Sequence, residues 1–411
     1  TLVYETHRNE DFVSGARALG IATGARVLHG VGPAIEHGEG VGDGDEQRLG
    51  ALRLKVLHTP GHTDESISIA IYDTEHGSSA VGVFTGDALF VGDVGRTDFY
   101  PDRSEEVARL LWHSIFHKLL PLGDQALLYP AHGAGSVCGD ALASREFSSI
   151  GYERLHNPRL ALSQDEFVRL KVGEHHVFPP YFHEMERLNQ SGSVRSEPLP
   201  EPQAWTPDLV EQALADDLVL LDLRAAEASA GAGVPGSLAL PLSLLSGYVG
   251  WLVPYDRPIG LVVDDDAMLG SGIEQLVRLG DTRIQAFLGG GVSAWETSGR
   301  PLRSFGSVSV HELRERIDRR DEVTVLDVRK TPEFERGHVP GARHQFLGTL
   351  GDWDGIAQLT TPVVTFCSSG KRAILAASIL ARAGVEDVSS CFGSMEAWRA
   401  IDAPVEEGPE R

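Results

Sequence analysis

Thr6-His7-Arg8-Asn9-Glu10-Asp11-Phe12 is the stretch on which the fold of this chain turns. The short apolar run Thr1-Leu2-Val3-Tyr4 reads as a strand that leads straight into it. Two later motifs carry a ligand each: His62 in Thr59-Pro60-Gly61-His62-Thr63-Asp64-Glu65-Ser66, and Asp87 in Phe84-Thr85-Gly86-Asp87-Ala88-Leu89-Phe90. Two imidazoles and one carboxylate suit a non-haem Fe(II) centre with positions left open for O₂ and substrate. Strands at Leu52–Leu57, Ser66–Tyr72 and Ala126–Tyr129 alternate with helical stretches such as Ser104–Lys118. The motif residues fall where strands end, the usual place for sites in layered α/β folds. A domain that opens on its own metal motif reads as short at the front, with N-terminal residues missing.

The 411 residues allow two to four domains, and 42% hydrophobic with 23% charged residues is ordinary for globular protein. A net charge of −23 would repel nucleic acid and anionic membranes, and both are discounted as partners. No apolar run approaches the length of a membrane span, and no secretory signal is recognisable. Three cysteines, Cys138, Cys367 and Cys391, are too few and too scattered for a disulfide framework, so a cytoplasmic setting with free thiols is expected.

Residues 1–190 form the first expected domain, and 191–204, rich in Ser, Glu and Pro, read as a linker. Beyond it the chain repeats itself. Leu220-Leu221-Asp222-Leu223-Arg224 matches Val325-Leu326-Asp327-Val328-Arg329, and Val234-Pro235-Gly236 matches Val339-Pro340-Gly341. Pro258–Gly280 matches Pro362–Gly384 without a gap, and Ala294-Trp295 matches Ala397-Trp398. Two similar α/β domains in tandem, 205–302 and 304–411, account for the order and spacing of these matches.

The first domain resembles the metallo-β-lactamase superfamily, on the glyoxalase II and persulfide dioxygenase branch. Besides the three ligand motifs, Gly95-Arg96-Thr97-Asp98-Phe99 and Tyr129-Pro130-Ala131-His132-Gly133 carry the resemblance. The family's first motif, T-H-x-H-x-D-H, has Asn9 and Phe12 in place of two histidines here. Each half of a dinuclear hydrolase site has therefore lost an imidazole. Persulfide dioxygenases bind one iron through the residues matching His7, His62 and Asp87, and all three are present. The resemblance leaves Asp11 and His132 as orienting or second-metal residues. Arg96 is a candidate for gripping a substrate carboxylate through its guanidinium fork, or for a structural salt bridge.

In the last domain Val363-Val364-Thr365-Phe366 leads into the six-residue loop Cys367-Ser368-Ser369-Gly370-Lys371-Arg372 and the helical run Ala373–Ala383. A cysteine in a cradle of backbone N–H groups at a helix start, with Lys371 and Arg372 adding positive charge, favours a thiolate and its persulfide. The loop, Asp327-Val328-Arg329 and Gly337-His338-Val339-Pro340-Gly341-Ala342 resemble rhodanese, the sulfurtransferase fold. That resemblance implies Cys367 as nucleophile with Arg372, and Ser368, Ser369, Gly370 and Lys371 as substrate-binding positions. Cys138 and Cys391 are expected to be structural. In the middle domain the cysteine position is Val263, followed by Asp264-Asp265-Asp266, so that copy is expected to be inactive.

The expected architecture is α/β: an αββα sandwich of metallo-β-lactamase type, N-terminally short, followed by two rhodanese-like domains with parallel sheets. The expected activity is oxidation of a low-molecular-weight persulfide, glutathione persulfide above all, to sulfite with O₂ at one Fe(II) per chain. Sulfur transfer at Cys367 among persulfide, sulfite and thiosulfate would be coupled to it. The alternatives are a zinc thioester hydrolase of the glyoxalase II kind and a sulfurtransferase with a non-catalytic front domain. Family habit favours a homodimer.

Overall fold

The computed structural model describes residues 1–32, 35–133, 143, 145–174, 176–192 and 199–410, so Cys138 and residues 193–198 of the expected linker lie outside the described residues. The chain divides into two compact units, Thr1–Phe178 with Phe182–Glu197, and Pro179–Tyr181 with Pro198–Arg411. Among the described residues no helix is long and apolar enough to cross a membrane.

The first unit is built on two sheets. Leu52-Arg53-Leu54-Lys55-Val56-Leu57-His58 alternates at its start, and it forms a strand in a six-stranded sheet. The order across that sheet is Glu46–Leu49, Leu52–His58, Ile67–Asp73, Ala80–Gly86, Leu127–Pro130 and Ser148–Ser149. Every pairing in it is antiparallel except that of Ala80–Gly86 with Leu127–Pro130. Leu2–Glu5, Arg26–Gly30 and Glu39–Val41 form a separate parallel sheet. Leu28 and Val41 of this small sheet pack on Val56, Ile67 and Ile69 of the large one. The helix Ser104–His113, prolonged by the turn Ser114–Leu119, covers the far face through Leu111, Ile115 and Leu119 against Val83 and Leu128. The helix Ala16–Thr23 packs on the small sheet. These layers make the αββα sandwich.

The sandwich gathers strand ends at one edge. Leu2–Glu5, Leu52–His58, Ala80–Gly86 and Leu127–Pro130 are followed within a few residues by His7, His62, Asp87 and His132. Two glycines let the turns close. Gly86 has φ +53°, and a Cβ there would lie 2.9 Å from the Thr6 side chain. A Cβ on Gly95 would fall 1.9 Å from the Asp87 carbonyl oxygen.

The second unit holds two five-stranded sheets, parallel throughout. In each, the first strand pairs with the fifth, followed by the fourth, second and third. The strands in chain order are Gln203–Trp205, Val219–Asp222, Leu238–Ala239, Ile259–Val262 and Ile284–Leu288 in one sheet. They are Gly306–Val308, Thr324–Asp327, Arg343–His344, Val363–Phe366 and Val388–Cys391 in the other. The first of these strands begins at Gln203, inside the stretch expected to be linker, because its residues pair with Ala286–Leu288.

The repeated motifs prove to be structural. Asp222 and Asp327 are fully buried, and each accepts hydrogen bonds from the backbone N–H and the guanidinium of the arginine two residues on, Arg224 and Arg329. The indoles of Trp295 and Trp398 donate to Pro301 and Pro404 carbonyls. The two copies differ in the helix after their fourth strand. Asp266–Arg278 is amphipathic and buries Gly272, Ile273 and Leu276. Its counterpart Lys371–Arg382 buries every residue from Ala373 to Leu380. A helix apolar all round needs partners on both sides. One is its own sheet. The other is the middle domain, where Ile374 packs with Ala226, Ala230 and Ala239, and the Ser378 hydroxyl accepts from the Ala239 N–H at 3.0 Å.

Candidate active sites

His7, Glu10, Asp11, His62, Asp87 and His132 converge at the strand-end edge of the first unit. His62 Nε2 lies 3.4 Å from Asp87 Oδ2 and 3.8 Å from Glu10 Oε2, and His7 Nε2 lies 3.7 Å from Asp87 Oδ2. His132 Nε2 is 3.3 Å from Asp87 Oδ2 and 3.6 Å from Asp11 Oδ2. The outward ring nitrogens are tied back. His62 Nδ1 donates to the Arg96 carbonyl at 3.0 Å, and His7 Nδ1 meets the Thr6 hydroxyl at 3.0 Å. The His62 bond fixes the tautomer that presents an Nε2 lone pair to the centre.

The inward atoms have no hydrogen-bond partners. Both oxygens of Glu10 and of Asp87, Asp11 Oδ1, and Nε2 of His62 and His132 are buried and unmatched. Buried polar atoms left without partners are rare, and so many aimed at one another fit a divalent cation. Two overlapping sets have mutually close ligand atoms: His7, Glu10 and His62, and His7, Asp87 and His132.

Charge at the cluster follows from its burial. Burial drives the His62 pKa down to about 3, against the pull of Asp87, so the ring is neutral, the form that ligates. For Asp87 burial pushes upward, but His7, His62 and His132 together hold the carboxyl well below the usual carboxylate range. His132 loses charge affinity by burial and regains more from Asp87 and Asp11, ending at about 9. Glu10 is pushed well above the ordinary value by burial, only partly offset by Arg8.

Glu10 is the residue that sequence reasoning missed. With Asn9 and Phe12 in place of the family's histidines, the motif looked depleted. Asn9 turns its amide back on the His7 carbonyl at 3.4 Å, while the next residue sends a carboxylate into the centre. The acidic Glu10-Asp11 pair after His7 was the available signal. Arg96 is fully buried, with its guanidinium on both oxygens of Asp98 at 2.7 and 2.8 Å and beside the rings of Phe99, Phe178 and Phe182. This is the salt bridge that was the structural alternative for Arg96.

The second constellation surrounds Cys367, which ends the strand Val363–Phe366 and is buried. The loop is pinned from behind. Met395, Glu396 and Gly393 donate backbone N–H groups to the carbonyls of Cys367, Ser368 and Ser369, and the Ser394 hydroxyl accepts from the Cys367 N–H at 3.1 Å. The Gly370 N–H points at the sulfur, 3.1 Å away, from a backbone with φ +105° that favours glycine. Lys371 is exposed and opens the helix, whose first-turn N–H groups are available to an anion. Arg372 is not a free charge. It makes two hydrogen bonds to Glu333, both 2.8 Å, and one to the Ser368 hydroxyl at 2.6 Å. Arg372 holds the Glu333 carboxyl at about 2 despite burial, which alone would raise it. Glu333 was not singled out from sequence. Cys391 ends the neighbouring strand, and burial pushes its thiol up to about 12.

The middle domain has filled the corresponding place. Val263 is buried where the cysteine would stand, and the Asp265 side chain caps the following helix by accepting from the Met268 N–H at 2.7 Å. The helix start that the last domain leaves open to an anion is closed here by the protein's own carboxylate.

Comparison with known proteins agrees with this division. Residues 309–401 match the family model for the rhodanese-like domain. Mouse persulfide dioxygenase ETHE1, mitochondrial (Mus musculus), is 31% identical over 171 residues, 40% of this chain and 58% of that protein. A solved metallo-β-lactamase from Staphylococcus aureus superposes with TM-score 0.62 at 29% identity, over 70% of this chain and 83% of that one. The first unit has the metallo-β-lactamase fold of that neighbour, and the last sheet, from its second strand in chain order on, lies in the stretch that matches the rhodanese-like model. The chain's front part is homologous to persulfide dioxygenases, and both parts are homologous to enzymes. Hydroxyacylglutathione hydrolase GloC of Haemophilus influenzae is 36% identical over 118 residues, 29% of this chain and 45% of that protein. The chain thus spans less than two-thirds of the length of the curated relatives it matches.

Proposed function

We propose that this chain is a persulfide dioxygenase joined to a sulfurtransferase. In the first unit a low-molecular-weight persulfide, glutathione persulfide in our reading, reacts with O₂ and water to give sulfite and the free thiol. In the second, Cys367 accepts a sulfane sulfur as its own persulfide and passes it on, linking persulfide, sulfite and thiosulfate. The observation that carries the first half is the set of buried, unpartnered ligand atoms of Glu10, His62 and Asp87, with the His7 ring beside them, at one strand-end edge. One Fe(II) held there would supply open coordination positions for a thiolate sulfur and for O₂. The chain's own residues do the rest. Thr6 and the Arg96 carbonyl aim the imidazoles, and Phe99, edge-on to His62 at 5.1 Å, walls the centre with an apolar ring. In the second unit the Gly370 N–H steadies the sulfur, and the open helix start favours its anion.

A second reading, a dinuclear zinc thioester hydrolase, draws on Asp11, Asp87 and His132 lying together beside the first set. Metal content separates the two: one iron per chain supports the dioxygenase and two zincs the hydrolase. The deciding experiment is O₂ uptake by iron-loaded intact protein on adding glutathione persulfide. Uptake is expected, and it disappears in His62→Ala. No uptake by the iron-loaded protein overturns the dioxygenase reading.

A further inference from the structure

Residues 8–14 carry Glu10 and Asp11 into the strand-end cluster with no regular structure of their own. Among the described residues, no backbone group of this segment is in a backbone-to-backbone hydrogen bond. Side chains from elsewhere hold it instead. The Arg8 N–H donates to Glu65 at 3.0 Å. The other three bonds all belong to Asn189. Its Nδ2 donates to the Asn9 and Phe12 carbonyls at 2.6 and 2.7 Å, and its Oδ1 accepts from the Ser14 N–H at 2.8 Å. Two carbonyls on one side and one N–H on the other fix which end of the amide is nitrogen.

Asn189 sits where packing alone would place an apolar residue. The helix Phe182–Ser191 buries Phe182, Met185 and Asn189, a spacing of three and four that marks one inward stripe. A buried amide is costly unless its polar atoms are matched, and here they are matched by the metal motif. The helix is itself fixed to the first unit. The Glu36 N–H donates to the Gln190 carbonyl at 2.9 Å, and Arg17 donates to the Ser191 and Gly192 carbonyls at 3.1 and 2.7 Å. Glu186, one turn before Asn189, stands 3.1 Å from the Arg8 guanidinium. The amide is therefore an anchored point against which the segment is drawn.

We propose that Asn189 is a positioning residue of the metal centre. Its amide draws the Asn9 and Phe12 carbonyls to one nitrogen and so cinches the turn between them. The two residues inside that turn, Glu10 and Asp11, then face His62 and His132, with oxygens 3.8 and 3.6 Å from the ring nitrogens. Asn189 acts through the backbone, and it supplies the torsions that turn Glu10 inward, which the residue types of the motif do not specify. The proposal rests on this cluster holding a divalent metal, and it is independent of the reaction that follows.

Asn189→Leu removes all three bonds and keeps the size of the side chain. Fe(II) affinity is read by anaerobic calorimetry on the full-length protein, well below its melting temperature, and the ligand field by the visible spectrum of the Co(II) form. Loss of a residue that orients metal ligands costs roughly 10- to 100-fold in affinity, and that loss is expected here, with a changed Co(II) spectrum. Should Asn189→Leu fail to fold, Asn189→Asp, which keeps the acceptor for Ser14 and loses both donors, decides by the same measurements. Met185→Ala, on the same buried stripe, is expected to lower the melting temperature and leave the affinity as in wild type. Affinity and spectrum unchanged in the Asn189 variant overturn the proposal, and so does an equal loss of affinity in Met185→Ala. If the affinity depends on Asn189 but the iron-loaded wild type takes up no O₂ with glutathione persulfide, the dioxygenase reading falls and the role of Asn189 stands. A wild type that binds no divalent metal overturns both.

Discussion

Glu10→Gln should stabilise the metal-free protein and shrink the stability that the protein gains from Fe(II). In the metal-free fold the Glu10 carboxyl is buried with no hydrogen-bond partner for either oxygen, and its nearest cation, Arg8, stands 3.7 Å off. Exchanging a buried, unmatched acid for a neutral amide of the same shape should recover about 1–3 kcal/mol. For a unit of this size that is roughly 2–12 °C in melting temperature. The sign with pH is also set. Because burial raises the Glu10 pKa, its penalty grows as pH climbs above the ordinary carboxylate range, so the gain is larger at pH 8 than at pH 5.

Fe(II) works against that gain. A metal at about one hundred times its dissociation constant stabilises the fold by about 2.7 kcal/mol. Removing one ligand should weaken binding by at least the roughly 10- to 100-fold seen for loss of an orienting partner, taking away half or more of that increment. Scanning calorimetry under anaerobic conditions, with and without Fe(II), reads both quantities on the first unit's transition. A mutant that is less stable without metal and gains the same increment with it would refute the placement of Glu10 among the ligands.

Two further outcomes follow from the second unit. Glu333 has its pKa lowered to about 2 from an ordinary 4.5, so the stability it contributes is present above pH 4.5 and is lost as pH falls toward 2. The gap in unfolding free energy between wild type and Glu333→Gln should be about 1–2 kcal/mol at pH 6, after discounting for partial exposure, and should close as pH approaches 2. A gap independent of pH would mean the Arg372 pair is not its source. Ile374→Ala opens a cavity against Ala226, Ala230 and Ala239, side chains too small to fill it, and should cost about 2–5 kcal/mol by denaturant unfolding. Both sheets of the second unit should lose stability together, and a loss confined to the last domain's transition would contradict the shared core.

The sequence carried the architecture because its signals were local and redundant. The repeat around Asp222-Leu223-Arg224 and Asp327-Val328-Arg329 marks two buried ion pairs at the same place in two copies of one sheet. The alternation in Leu52–His58 suffices for a strand with one face inward. At the strand-end cluster, the sequence motifs point to His7, His62, Asp87, Asp11 and His132, and the structure brings all five together. Glu10 escaped because a motif is read position by position. Whether a side chain next to a missing ligand turns inward depends on backbone torsions that the residue types do not encode. Glu333 escaped for a related reason: it lies far along the chain from Cys367 and reaches the loop only through tertiary packing, from the helix Thr331–Glu335.

The two rhodanese-like copies differ at the helix start that follows their fourth strand. A freed helix start is costly unless something fills it, and Asp265 fills the one in the middle domain from within. That substitution closes the anion site and stabilises the copy as a scaffold. The last domain made the opposite exchange. Its loop keeps an open helix start for a transient anion, and its helix Lys371–Arg382 has become apolar on every face. Such a helix is stable only while the middle domain covers its outer side, through Ile374 and the Ser378–Ala239 hydrogen bond. The copy that carries Cys367 therefore depends on the copy that carries Val263 for burial. The same docking sets the helix Leu245–Leu252 against the segment Leu347–Asp352, where Trp251 meets Phe346 edge-to-face.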